Sequence, residues 1–246
     1  MNEQRKCEGS SETIAAMLRD IDEEVGRFVV PILVGKTIEL EATSLHSGTG
    51  TLVRNGLHLL VTCNHIWEWW REALDGNPGA FVVLLGSGYT ALEIEPGAIY
   101  ANSEADVAAV QFPLTQLTDS QNAFYPLDEI GYQDARVGET LIAVGYPGMW
   151  RESSHNHSAM RYSLFPFTVT DVATRGFVAA EAANTEVLVD LDKIAADLGR
   201  ARDALGGLSG APVFDVCSRP FKLVGFVRER GSGGVFFAHA RSLIER

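Results

Sequence analysis

The chain reads as an all-β protein: two β units behind one N-terminal helix. Ten short apolar runs rich in β-branched residues recur along it, broken by Gly, Pro, Asn and Asp. Close to the N-terminus, one stretch carries apolar residues at helical spacing over several turns. The segment 113–135 (PLTQLTDSQNAFYPLDEIGYQDA) has no strong periodicity and leaves five apolar runs on either side.

The helix is expected over 10–26 (SSETIAAMLRDIDEEVG). Ile14, Met17, Leu18, Ile21 and Val25 repeat on one face, serines stand ahead as caps and Gly26 closes it. The first β unit is built from FVVPILV (28–34), GTGTLV (48–53), LHLLVTC (57–63), AFVVLLG (80–86) and DVAAVQF (106–112). A helical turn or two interrupts at His65 to Leu74, and another near Lys193 to Ala204. The second unit follows with TLIAVGY (140–146), EVLVDLD (186–192), APVFDV (211–216), KLVGFV (222–227) and GVFFAHA (234–240). Strands this short, with loop signals between them, make barrels or sandwiches rather than sheets alternating with long helices. The expected division is a helical segment 1–26, a first barrel 27–115, a linker 116–135 and a second barrel 136–246.

Composition narrows the function. At 246 residues, with 46% hydrophobic and 21% charged, the chain buries an ordinary globular core. No run of 18 apolar residues predicts a membrane helix, and Met1 to Ser10 lacks the apolar stretch of a secretory signal. A net charge of −12 argues against nucleic acid and anionic membranes as partners, since both recruit basic patches. Three widely spaced cysteines, Cys7, Cys63 and Cys217, offer neither a disulfide framework nor a CxxC zinc pair, and a reducing cytoplasm suits them. Cys63, inside an apolar run, reads as a small buried hydrophobe.

The chemistry is concentrated in three places. "GGLSGAPVF" (206–214) sets Ser209 between glycines ahead of an apolar strand. A serine hydroxyl needs an adjacent base to attack, and the base needs a third group to fix its tautomer. His65, in "LLVTCNHIW", follows a strand directly and is the candidate base. Asp106, in "SEADVAAVQF", opens an apolar strand, where an unpaired carboxylate is costly and an imidazolium partner removes the cost. Alone, each has a plainer reading: a packed histidine, a strand-start aspartate, a loop serine. Their order, with 41 residues from His65 to Asp106 and 103 from Asp106 to Ser209, puts base and acid in the first unit and the nucleophile in the second. Gly207 lets its own N–H and that of Ser209 turn into one concavity, which is what a developing oxyanion requires.

With those flanking words the chain resembles the chymotrypsin-like (trypsin-fold) serine proteases, most closely the bacterial branch that includes the high-temperature-requirement proteases. "GTGTLVRNGLHLLVTCNHIW" is similar to that family's glycine-opened strand, hairpin and histidine strand, and "DVAAVQF" to its acid-bearing strand. "RVGETLIAVGYPG" resembles the hairpin that opens the second barrel, and "KLVGFV" and "GVFFAHA" the strands walling the primary pocket. The match runs from about Phe28 to Ile244. It implies two antiparallel six-stranded-type β-barrels and a limited, regulatory endopeptidase that uses His65, Asp106 and Ser209 with an oxyanion hole at Gly207 and Ser209. It implies a protein or peptide substrate and no metal or cofactor. Two alternatives are a catalytically silent module of the same shape, and an esterase or acyl transferase using the same three groups.

Three departures qualify the resemblance. Leu208 stands where digestive relatives carry an aspartate that pairs with a new N-terminus, so the site is either preformed or ordered by an activating protein partner or oligomer. Nothing after Ile244 matches the peptide-binding module that heat-shock relatives append. The stretch 149–161 (MWRESSHNHSAMR) has no counterpart and is expected to be a loop beside the cleft; its His155 and His157 read as solvated rather than metal-binding. For substrate choice, Asp203 falls at the pocket base in a gapless comparison, or else pairs with Arg200 or Arg202 on a turn. Val227 stands near where glutamate-specific relatives carry a histidine on the pocket strand, so that pattern is absent. Arg228 and Arg230 just beyond it are the alternative attraction for acidic substrate residues.

Overall fold

The apolar periodicity near the N-terminus forms a helix, α1, at residues 19–25. The computed structural model describes residues 19–35, 46–74, 80–85, 90–93, 99–112, 117, 121–147, 151–154, 157–160, 163–174, 176–181, 207–231 and 234–243. The first part of the expected helix, EVLVDLD, the turn near Lys193 to Ala204, and Asp203 therefore lie outside the described residues. α1 buries Ile21 and Val25 completely or nearly so, and Arg219 reaches its Asp20 and Glu24 at 3.2 Å each. Exposed ion pairs contribute about 0–1 kcal/mol, whereas burying an Ile or Val contributes about 1.5–3 kcal/mol. The apolar face holds the helix down.

The first unit comprises β1 (Val29–Gly35), β2 (His46–Asn55), β3 (Leu57–Thr62), α2 (Asn64–Leu74), β4 (Ala80–Leu85), β5 (Thr90–Glu93), β6 (Ile99–Asn102) and β7 (Val107–Gln111). Its strands run antiparallel in the order β5-β4-β1-β2-β3-β7-β6. β8 (Tyr125–Pro126) adds to β2 in parallel and makes an eight-stranded sheet. Among the described residues β5 and β6 are its edges, and no pairing between them is seen. Ile66, Trp67 and Trp70 of α2 pack on its core with Val30, Ile32, Leu52 and Leu60.

The second unit closes completely. β9 (Thr140–Gly145), β12 (Ser163–Ala173), β13 (Gly176–Glu181), β14 (Pro212–Asp215), β15 (Lys222–Gly231) and β16 (Gly234–His239) form a six-stranded barrel in the order β12-β13-β16-β15-β14-β9. β12 and β13 are absent from the ten expected runs. The stretch 149–161 holds a two-stranded hairpin, β10 (Arg151–Ser154) with β11 (His157–Met160), where a loop was expected. The segment between the units is also structured, carrying β8 and a short helix, α3 (Leu127–Ile130).

Strands at the junction bury both faces. Along β9, Leu141 and Ala143 face the second core while Ile142 and Val144 face a shared cluster. Along β7, Ala108 and Val110 face the first core while Val107 and Ala109 face that same cluster. Strands buried on both sides read as continuous apolar runs rather than alternating ones. The shared cluster joins Val53, Val61, Phe214 and Phe226 to Ile21 and Val25 of α1.

Tyr125 ties the junction polarly. Its hydroxyl accepts the Leu223 N–H at 3.1 Å and faces the Gly131 and Phe221 carbonyls at 2.9 and 3.1 Å. Burial pushes its phenol up to about 12. A proton kept in the fold but released near pH 10 when unfolded stabilises fully below about pH 10, and the contribution fades as pH rises through about 12. Tyr125→Phe is expected to cost about 1–3 kcal/mol at neutral pH, because buried partners go unpaired. The urea midpoint gap between the two proteins should then narrow across the alkaline range; a constant gap would exclude this account.

Candidate active site

The site is assembled around the start of α2. The first N–H groups of a helix have no partner inside it and favour an acidic acceptor. Asp106 supplies one from across the sheet: its Oδ1 accepts the His65 backbone N–H at 3.0 Å, and its own carbonyl accepts the Asn64 N–H at 3.2 Å. The other oxygen, Oδ2, lies 2.8 Å from His65 Nδ1. The carboxylate that looks misplaced at the head of an apolar strand thus caps a helix and holds a ring at once. To do so Asp106 takes a left-handed backbone, φ 53, a conformation aspartate tolerates better than most residues and one that clusters at functional positions. The turn before it is fixed by Asn102 Oδ1, which accepts the Ala105 N–H at 3.0 Å.

An imidazole that donates from Nδ1 to a carboxylate keeps its lone pair on Nε2, the state required of a general base. The His65 side chain is 29% exposed and meets Trp69, one helical turn on, edge to face at 5.0 Å. Trp69 is in turn stacked on His46 at 4.3 Å.

Ser209 sits in the turn 207–210 ahead of β14, where Gly207 and Gly210 have φ of 91 and 87. The Leu208 side chain points inward and is fully buried in the second core. The hydroxyl of Ser209 donates to the Arg228 carbonyl at 3.0 Å, and among the described residues no hydrogen bond joins it to His65. The Gly207 carbonyl accepts from the Thr49 hydroxyl at 2.7 Å, which orients the peptide bond before Leu208.

β15 runs beneath both halves. Val227 turns its side chain into the second core, accepts the Gly210 N–H at 2.8 Å and donates to the Ala211 carbonyl at 2.9 Å. Its carbonyl also receives the Cys63 thiol at 3.1 Å. Next along, the Arg228 Nε is buried without a hydrogen-bond partner among the described residues and lies 3.9 Å from Asp106 Oδ2. Cys63, His65 and Asp106 bring potential metal ligands within 4.8 Å of one another. A cation there would have to displace the proton that His65 shares with Asp106. It would also have to ionise a thiol that burial, and secondarily the Asp106 charge, push well above its ordinary range. The cluster therefore fits an acid–base pair with an inert thiol behind it. His155 lies outside the described residues.

Of the residues picked out from sequence, His65 and Asp106 bond directly. Ser209 and Arg228 share a hydrogen bond, and Val227 supports the turn 207–210 from below. Thr49 and Thr51, with Thr62 bonded behind Thr49, also hold the turn 207–210, although "GTGTLV" and "LHLLVTC" read in sequence as apolar strands. The available signal was threonine at alternate positions in β2, one face of a strand.

A family model described as a trypsin-like peptidase domain matches residues 48–225. No curated protein matches the chain in sequence. Among solved structures, the active form of the Rv3671c protease from M. tuberculosis aligns with a TM-score of 0.53 and 15% identity. That alignment covers 99% of this chain and 90% of the other, and it shows a shared chymotrypsin-like fold. No helix among the described residues is long and apolar enough to cross a membrane.

Proposed function

The chain belongs to the trypsin-like peptidase family and is a serine protease, and from that premise we propose that it cleaves peptide bonds through His65, Asp106 and Ser209. The observation that carries this reading is the double hold of Asp106 on the backbone and ring of His65, at 3.0 and 2.8 Å. It leaves Nε2 free to take a proton. Ser209 attacks the substrate carbonyl, His65 accepts the hydroxyl proton and returns it to the leaving amine, and water then releases the acyl group. Asp106 keeps the tautomer and stabilises the imidazolium. The amides of Gly207 and Ser209 receive the oxyanion.

The hydrogen bond from Ser209 to the Arg228 carbonyl describes a resting nucleophile. In the reaction Ser209 gives up that acceptor for His65, and catalytic hydrogen bonds commonly tighten only once substrate is bound. Leu208, buried where digestive relatives keep a carboxylate, supports activation by a route other than a new N-terminus. Arg228 places a cation beside the cleft and supports acidic residues near the cut bond. The two β units, 27–115 and 136–246, work as opposed walls joined by 116–135. A bacterial-type, cytoplasmic enzyme of limited proteolysis on protein substrates fits the acidic charge and three widely spaced cysteines that offer no disulfide framework.

A fluorophosphonate probe tests the reading. It is expected to modify Ser209 alone, seen as one adducted peptide by mass spectrometry, and His65→Ala should prevent the adduct. Wild-type protein that stays unmodified, with peptide and ester substrates both intact, would favour a silent module of the same fold.

A further inference from the structure

Thr49 belongs to the first unit and its hydroxyl bonds to Gly207 and Tyr146 rather than to the triad, yet its polar groups converge on the nucleophile turn. It is fully buried in β2. Its hydroxyl donates to the Gly207 carbonyl at 2.7 Å and accepts the Tyr146 N–H at 3.1 Å. Its N–H donates to the Ser209 carbonyl at 2.9 Å, and its carbonyl accepts the Thr62 hydroxyl at 3.0 Å. Two residues along the same strand, the Thr51 hydroxyl donates to the Gly210 carbonyl at 3.0 Å.

Peptide planarity turns these contacts into a statement about the site. In a trans peptide the carbonyl of one residue and the N–H of the next point in opposite directions. Thr49 holds the Gly207 carbonyl and so fixes the plane 207–208; it holds the Ser209 carbonyl and so fixes the plane 209–210. Between them lies the plane 208–209, which carries the Ser209 N–H, and its own carbonyl is taken by the Ala211 N–H at 2.7 Å. One residue of the opposite unit therefore clamps the turn on both sides of the amide next to the nucleophile.

We propose that Thr49 is the positioning residue of the nucleophile turn, setting the angle at which Ser209 faces His65 from across the junction. This rests on Ser209 being the nucleophile. Valine would fill the same space in an apolar junction, and a buried hydroxyl is costly unless paired. The Thr49 hydroxyl has a donor and an acceptor partner, one in the turn and one at the end of β9. Thr62 locks the Thr49 carbonyl from β3, the strand that leads through Cys63 to His65. The same bonds thus reference the nucleophile turn to the strand that presents the base.

The test uses the full chain with Thr49→Val and Thr49→Ser, read by the rate of Ser209 acylation, by kcat and KM on a peptide, and by the melting temperature. In Thr49→Val, acylation and kcat are expected to fall about 10- to 100-fold, the scale of a misplacement near 1 Å. KM should stay within about threefold, since ground-state binding is untouched. Thr49→Ser, which restores the hydroxyl without the methyl, should recover most of the rate even where its melting temperature stays low. If Thr49→Val is recovered unfolded, Thr49→Ala, which leaves room for a water at the hydroxyl's place, is read the same way. Wild-type acylation in the valine variant, or a loss that serine does not restore, overturns the inference while leaving the protease reading standing. A wild-type chain that never acylates overturns both.

Discussion

His65→Ala is expected to lower kcat on a peptide substrate by about 10⁴- to 10⁶-fold, with KM little changed, because proton transfer is lost and binding is not. Ser209→Ala should fall as far, and the double variant no further, because the two side chains act as one unit. What survives is the contribution of the oxyanion amides and substrate binding. Asp106→Asn separates the parts. Its amide oxygen still caps α2 by accepting the His65 N–H, so the fold should hold. Its NH2 group, in the place of Oδ2, donates to Nδ1 and drives the ring proton onto Nε2. The base is then blocked, and a loss of about 10⁴ in kcat is expected. Steady-state kinetics on a quenched peptide, with melting curves for each variant, make the check. If His65→Ala or Asp106→Asn keeps more than about a tenth of wild-type kcat, the acid–base role assigned here is wrong.

The elements that sequence reveals best are those whose pattern does not depend on a distant partner. β1, β3, β7, β9 and β14–β16 announce themselves as apolar runs because both faces, or one face and an edge, are buried. β12 was illegible for a specific reason. Its Phe165, Phe167 and Val169 alternate with half-exposed neighbours as a strand should, but Pro166 interrupts the pattern and argues against one. β5 and β6 are four residues each, too short to carry any period. At the site, the order of His65, Asp106 and Ser209 is a property of the chain and was readable. The left-handed backbone of Asp106, the resting bond from Ser209 to Arg228 and the threonines under the turn are properties of one unit meeting the other, and no local pattern encodes them.

Gly210→Ala is expected to be the most damaging single substitution to the fold near the site. Gly210 has φ 87, so any side chain there meets a left-handed penalty of about 1–2 kcal/mol. The added Cβ would also fall 2.2 Å from the Thr49 carbonyl oxygen and 2.5 Å from the Thr62 hydroxyl. The carbonyl is backbone of a buried strand and cannot rotate away. Relief must come from moving the turn, and that stretches Thr49 N–H to Ser209 O and Gly210 N–H to Val227 O, at 2.9 and 2.8 Å. Overpacking of this kind adds about 1–3 kcal/mol. Together the two effects remove a sizeable part of a domain's usual 5–15 kcal/mol or so, and should lower the melting temperature by about 10 °C. Gly56→Ala is the internal control. At the tip of the β2–β3 hairpin it has φ 67 but nothing within 4 Å of a new Cβ, so it meets the backbone penalty alone. The difference between the two variants isolates the approach of β2 to the turn 207–210. Acylation of Ser209 should slow in Gly210→Ala and stay at the wild-type rate in Gly56→Ala. Equal melting temperatures for the two variants would mean that the junction is looser than 2.2 Å implies, and that the turn takes its position from the second barrel alone.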